Sequence, residues 1–142
     1  MGRKMRERSG FEKLDVYQLS EQLADSVWRC VLTWRNLERD TIGKQIVRAV
    51  DSIGANIAEG YGRESSLDAR RYVRIAIGSL YETKHWLRRA YARNLLTEEQ
   101  VGELKPMMDR MLPMLNGYRR SIGRQRPSSP TSDPPPPGDL WQ

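Results

Sequence analysis

One cysteine and one histidine stand among the 142 residues of this chain. A lone cysteine excludes an internal disulfide framework, and the two residues together cannot supply the ligand set of a structural metal site. Cys30 falls beside Val27, Val31 and Trp34 on an apolar helical stripe, where a thiol serves as a small buried hydrophobe. Long apolar runs are missing too. Nothing approaches the roughly 20 residues of a membrane span, and the basic start, Met1 to Phe11, lacks the apolar stretch of a secretory signal. Neither a G-x-x-x-x-G-K phosphate loop nor a G-x-S-x-G elbow occurs. With no acid–base or nucleophile constellation in their place, the sequence predicts a cytoplasmic protein that is no enzyme and holds no cofactor or metal.

What the chain has instead is positive charge. All 24 basic groups lie before residue 127, whereas two of the 18 acidic ones, Asp133 and Asp139, lie beyond it. The body therefore carries +8 and the end −2. A basic body attracts polyanions, nucleic acid first, with an anionic membrane surface as the competitor. Six of the eight prolines also fall in 127–142, a composition that builds no core. A disordered tail is expected over 125–142. Pro134 to Pro137 would be its extended spacer, and Asp139-Leu140-Trp141 an apolar hook, either inert or a docking peptide.

Between the ends, apolar residues keep the three-and-four spacing of helix faces. The first helix is predicted over 14–36, on Val16, Leu19, Leu23, Val27, Val31 and Trp34; the second over 41–59, on Ile46, Val50, Ile53 and Ile57. The third is predicted over 67–93, with Asn94 as its left-handed stop. A fourth opens at Thr97, which pairs with Gln100 as a capping box. Pro106 and Pro113 fall inside it and predict a kink or a break. Short loops between long helices make neighbours antiparallel. The expected fold class is all-α: a basic N-terminal arm over 1–13, an up-down-up-down four-helix bundle over 14–124 with a kinked fourth helix, and the tail.

Drawn at about 100° per residue, the third helix separates into two sides. Tyr72, Ile75, Ala76, Ser79, Leu80, Thr83, Trp86, Leu87 and Ala90 form the predicted core side. Opposite them stand Arg70, Arg71, Arg74, Gly78, Tyr81, His85, Arg88 and Arg89. Arginine forks onto phosphate oxygens, an exposed aromatic stacks on a base, and a glycine leaves backbone open to close approach. The stripe is thus a candidate phosphate ladder, and its alternative is an ordinary solvated face. On the second helix Gly43, Val47, Gly54 and Ala58 form a small-residue side suited to a neighbouring helix or to another subunit.

The connection between those helices reads Asn56-Ile57-Ala58-Glu59-Gly60-Tyr61-Gly62-Arg63. Gly60 is predicted to end the second helix in the left-handed region and Gly62 to make a further bend. Ser65 and Asp68 stand at capping spacing before the third. Asn56 and Glu59 are expected to bond the backbone or Arg63 and so fix the corner.

This turn, with Gly78-Ser79-Leu80-Tyr81-Glu82 after it and Phe11, Leu14 and Val16 before it, resembles the signature of a bacterial family. Its members are the four-helix-bundle proteins encoded by intervening sequences of large-subunit ribosomal RNA genes. The resemblance covers about residues 11–123. It implies a ring-forming homopentamer. A related branch, the accessory variability proteins of diversity-generating retroelements, implies RNA or DNA and a reverse transcriptase as partners. The two prolines of the fourth helix and the Pro-rich tail depart from the family pattern. The functional expectation is a non-enzymatic, oligomeric nucleic-acid-binding accessory protein, and the alternative is a protein–protein scaffold.

Overall fold

A computed structural model describes residues 7–124, which are helical with no strand among them. The Pro-rich end with its Asp139-Leu140-Trp141 hook, and the first six residues, lie outside the described residues. A 3-10 turn, Gly10–Lys13, leads into α1, Asp15–Leu32. The second helix, α2, occupies residues 36–61 in three consecutive pieces: an α turn Asn36–Glu38, a π-helical stretch Arg39–Gly43 and the α-helix Lys44–Tyr61. α3 is Ser66–Ala92 and α4 is Glu98–Ser121.

Several boundaries differ from expectation for local reasons. α1 stops at Leu32, short of residue 36, because the Thr33 hydroxyl and N–H both turn back onto the Cys30 carbonyl. Trp34 then swings inward, and its indole N–H donates to the Leu95 carbonyl at 2.9 Å, tying the first loop to the third. α2 consequently starts five residues earlier than the predicted Thr41, at Asn36. Thr41 is instead inside the π stretch, where its hydroxyl donates to the Leu37 carbonyl at 2.7 Å and competes with the regular ladder.

Gly60 is not a left-handed stop. It lies within α2, buried, and the only glycines with positive φ among the described residues are Gly10 and Gly123. Gly62 caps the helix at φ −78°. The glycine at position 60 answers a packing demand, since a Cβ there would sit 2.7 Å from Tyr72 Cβ and 3.1 Å from the Ala69 carbonyl oxygen. Asn94, at φ 62°, is the left-handed residue after α3, as predicted. The Thr97–Gln100 capping box forms in both directions. Ser65 accepts from the Asp68 N–H, but the return half of that box is missing.

α4 does not break at either proline. Pro106 is on the exposed side and so is Gly102, four residues before it, whose carbonyl loses its helical partner; water can take up that oxygen.

Packing runs α1–α2, α2–α3, α3–α4 and α4–α1, which is the closed up-down-up-down order. The core is the meeting of Leu23, Ile53, Ile57, Leu104, Met111 and Leu115, none of them measurably exposed. The small-residue side of α2 is taken up within the chain at its two glycines. A Cβ on Gly43 would lie 2.9 Å from Val31, and one on Gly54 2.8 Å from the Ser20 hydroxyl, both on α1. At those two glycines the side seats α1, whereas Val47 lines an open groove between the two helices.

Candidate nucleic-acid interface

The predicted ladder stands along the outside of α3. Arg71, Arg74, Gly78, Tyr81, His85, Arg88 and Arg89 lie toward solvent, and Arg70 is partly buried. Tyr81 is 52% exposed, so its ring is available for stacking. His85 meets Trp86 edge-on at 4.8 Å between centroids. Gly78 has no heavy atom within 4 Å of where a Cβ would be, which leaves an open notch in the middle of the stripe. One residue changes sides. Ile75, predicted for the core, is 40% exposed, whereas Val73 is buried. A step of about 100° per residue carries Ile75 from the Ala76 side to the margin of the arginines.

The ladder does not end on its own helix. At its lower end Arg70 and Arg74 face Arg119, Arg120 and Arg124 across a cleft of about 330 Å³. Among the described residues no carboxylate lines the cleft. Its floor is made where α4 exits onto the first turn of α3. The Arg70 guanidinium donates to the Ile122 carbonyl at 3.2 Å, and Ile122 packs against the core. Gly123 turns the chain at φ 73° so close to α3 that a Cβ would lie 2.5 Å from the Ser66 hydroxyl. Sequence reasoning missed Arg119, Arg120 and Arg124. Their adjacency at the end of the last helix was visible, but the helix they would face was not.

The turn residues serve the corner. Asn56 donates to the Ser52 carbonyl at 2.8 Å and to its hydroxyl at 3.0 Å, and that hydroxyl pairs with Ser79 of α3 at 2.9 Å. Arg63 donates to Glu59 at 3.0 Å and to the Tyr72 hydroxyl at 2.7 Å while lying over the Tyr72 ring. Asp68 stands 3.7 Å from both Arg63 and Arg71. Glu59, Gly60, Gly62 and Arg63 are thus brought together with α3's first turns, where Asp68 links the corner to Arg71 at the start of the stripe.

The α1–α2 side has the opposite character. A groove of about 400 Å³ runs beside the π stretch, lined by Trp28, Leu32 and Val47 with Lys44 and Arg48 at its rim. Next to it, a smaller hollow of about 230 Å³ holds Glu21, Asp25 and Asp51. Partial burial first, and the Asp25 charge second, push the Asp51 carboxyl above the usual carboxylate range. Among the described residues no cluster of three or more metal-ligating side chains forms, and no helix is long and apolar enough to cross a membrane.

Comparison with known proteins gives two findings. The family model described as 23S rRNA-intervening sequence protein matches residues 12–117. A crystal structure from Bacteroides thetaiotaomicron, of a protein of unknown function from the S23 ribosomal protein family, superposes with a TM-score of 0.65. The two are 23% identical, and the match covers 75% of this chain and 99% of that one; at that identity it speaks for the fold. No curated protein matches the chain.

Proposed function

This chain belongs to the 23S rRNA-intervening sequence protein family, and we propose that it is a non-enzymatic, cytoplasmic, homo-oligomeric accessory protein that holds the phosphate backbone of RNA or DNA. The observation that carries the reading is the α3 stripe. Arg71, Arg74, Arg88 and Arg89 stand exposed with Tyr81 on one side of a 27-residue helix, which is about 40 Å long. Charged forks repeated over that length suit a polyanion, and the stripe adds to them no Asn, Gln, Ser or Thr that would further favour base-edge contacts over phosphate ones. In an oligomer the stripe would recur on every subunit, so modest affinity at each would multiply along one strand. A pentameric ring and a reverse-transcriptase partner are the forms of this reading that the family resemblance suggests.

A titration with single-stranded RNA, duplex RNA and DNA over a salt series tests it. The parent should bind all three, weakening as salt rises. Replacing Arg71, Arg88 and Arg89 with Gln should flatten the salt slope by roughly one unit for each phosphate the variant no longer neutralises. Stability should hold, because exposed charges contribute little to folding. An unchanged slope would leave the stripe a solvated face. The scaffold reading would then lead, favoured by the apolar groove at Trp28, Leu32 and Val47.

A further inference from the structure

The five arginines of the α3–α4 cleft are not one helix's solvated side. Arg70 and Arg74 come from the start of α3, Arg119 and Arg120 from the last turn of α4, and Arg124 from beyond the Gly123 reversal. They line one concavity of about 330 Å³. A phosphate entering the cleft would meet guanidinium donors from both helices at once. Guanidinium groups match phosphate oxygens in planar, two-pronged fashion.

The surroundings also hold the groups in place. The Ile122 carbonyl accepts from Arg70 at 3.2 Å while the partly buried Ile122 packs against the core. Glycine at 123 is required twice over, by φ 73° and by the Ser66 hydroxyl, and the turn it makes delivers Arg124 to the cleft. The Arg120 side chain lies along α4, its Nη2 3.9 Å from where a Cβ on Gly117 would stand.

We infer that this cleft is a discrete phosphate-binding site, which takes one phosphate group of a nucleic-acid strand and sets where the strand joins the α3 stripe. The strand as carrier of the phosphate rests on the function proposed above; the site does not.

Two arms separate these claims. In the first, pyrophosphate is titrated calorimetrically into the full chain at constant ionic strength. One saturable site per chain is expected. Arg119→Gln with Arg124→Gln should weaken it by about tenfold or more, since charge-assisted hydrogen bonds are removed. Lys44→Gln with Arg48→Gln, on α2 and outside both the stripe and the cleft, should leave it within about twofold, since exposed charges at a distance are screened. Should circular dichroism show the cleft double variant unfolded, Arg74→Gln alone replaces it, with a loss of about threefold expected. No saturable pyrophosphate site in the parent, or parent affinity in the folded cleft variant, overturns the inference. In the second arm, pyrophosphate is added to chain bound to labelled single-stranded RNA. Displacement of the RNA, abolished in the cleft variant, supports the strand as carrier. RNA bound alongside saturating pyrophosphate overturns it, and a pyrophosphate site on a chain that binds no RNA rejects the nucleic-acid reading while the anion site stands.

Discussion

Adding one methyl group at Gly60 and one at Gly78 should have opposite effects, although both glycines lie inside helices. At Gly60 the new carbon would meet the stem of Tyr72 and a backbone oxygen, neither able to swing away. Gly60→Ala should cost about 1–3 kcal/mol, as overpacking does. Gly78 faces open space, so Gly78→Ala should gain about 0.5–1 kcal/mol by removing backbone freedom from the unfolded chain. Urea midpoints at constant slope distinguish the two. The contrast also explains what sequence could not say at this scale. A glycine followed two residues later by another looks like a helix stop, and only the position of Tyr72 reveals that Gly60 is a close approach of α2 to α3. Asn94 was legible because its demand is local: it is the backbone's own left-handed turn.

Helices as whole elements were the most readable part of the chain. Ile46, Val50, Ile53 and Ile57 all end at 1% exposure or less, because an apolar stripe every three or four residues has few other uses. The exceptions arise where side chains intervene in the ladder, as Thr33 and Thr41 do. The arginine stripe was legible because one helix carries it, whereas the cleft needs two helices and a turn and so stayed hidden. α4 is an element held together by its burial despite its own backbone. Pro106 withdraws a donor in mid-helix on an exposed side. Pro106→Ala should therefore raise stability, by up to about 3 kcal/mol if the full helix-interior penalty is relieved, read as a higher denaturant midpoint. An unchanged or lower midpoint would mean that the bundle has adapted to the proline and uses its shape.

At the scale of the whole molecule, the two sides of the bundle differ in charge and in polarity. The α3–α4 side gathers arginine, and the α1–α2 side pairs an apolar groove with the Glu21, Asp25 and Asp51 hollow. Asp51 makes that arrangement measurable. Its carboxyl is raised in the folded state, so the folded chain binds that proton more tightly than the unfolded chain does. Stability from this group then falls as pH rises from the ordinary carboxylate range through the raised value. Asp51→Asn should raise the melting temperature at pH 7 and leave it nearly unchanged near pH 3, where both side chains are neutral. An equal shift at both pH values would assign the effect to packing instead. Finally, Cys30 is the chain's one thiol, 5% exposed on α1, with burial and then Glu103 pushing its pKa up. The molecule therefore carries its own clock. A thiol reagent can mark Cys30 only during an opening of the bundle, so the rate of labelling along a urea series counts those openings one molecule at a time. If labelling in native buffer were as fast as for a free peptide thiol, the end of α1 would be opening on its own while the rest of the bundle stayed closed.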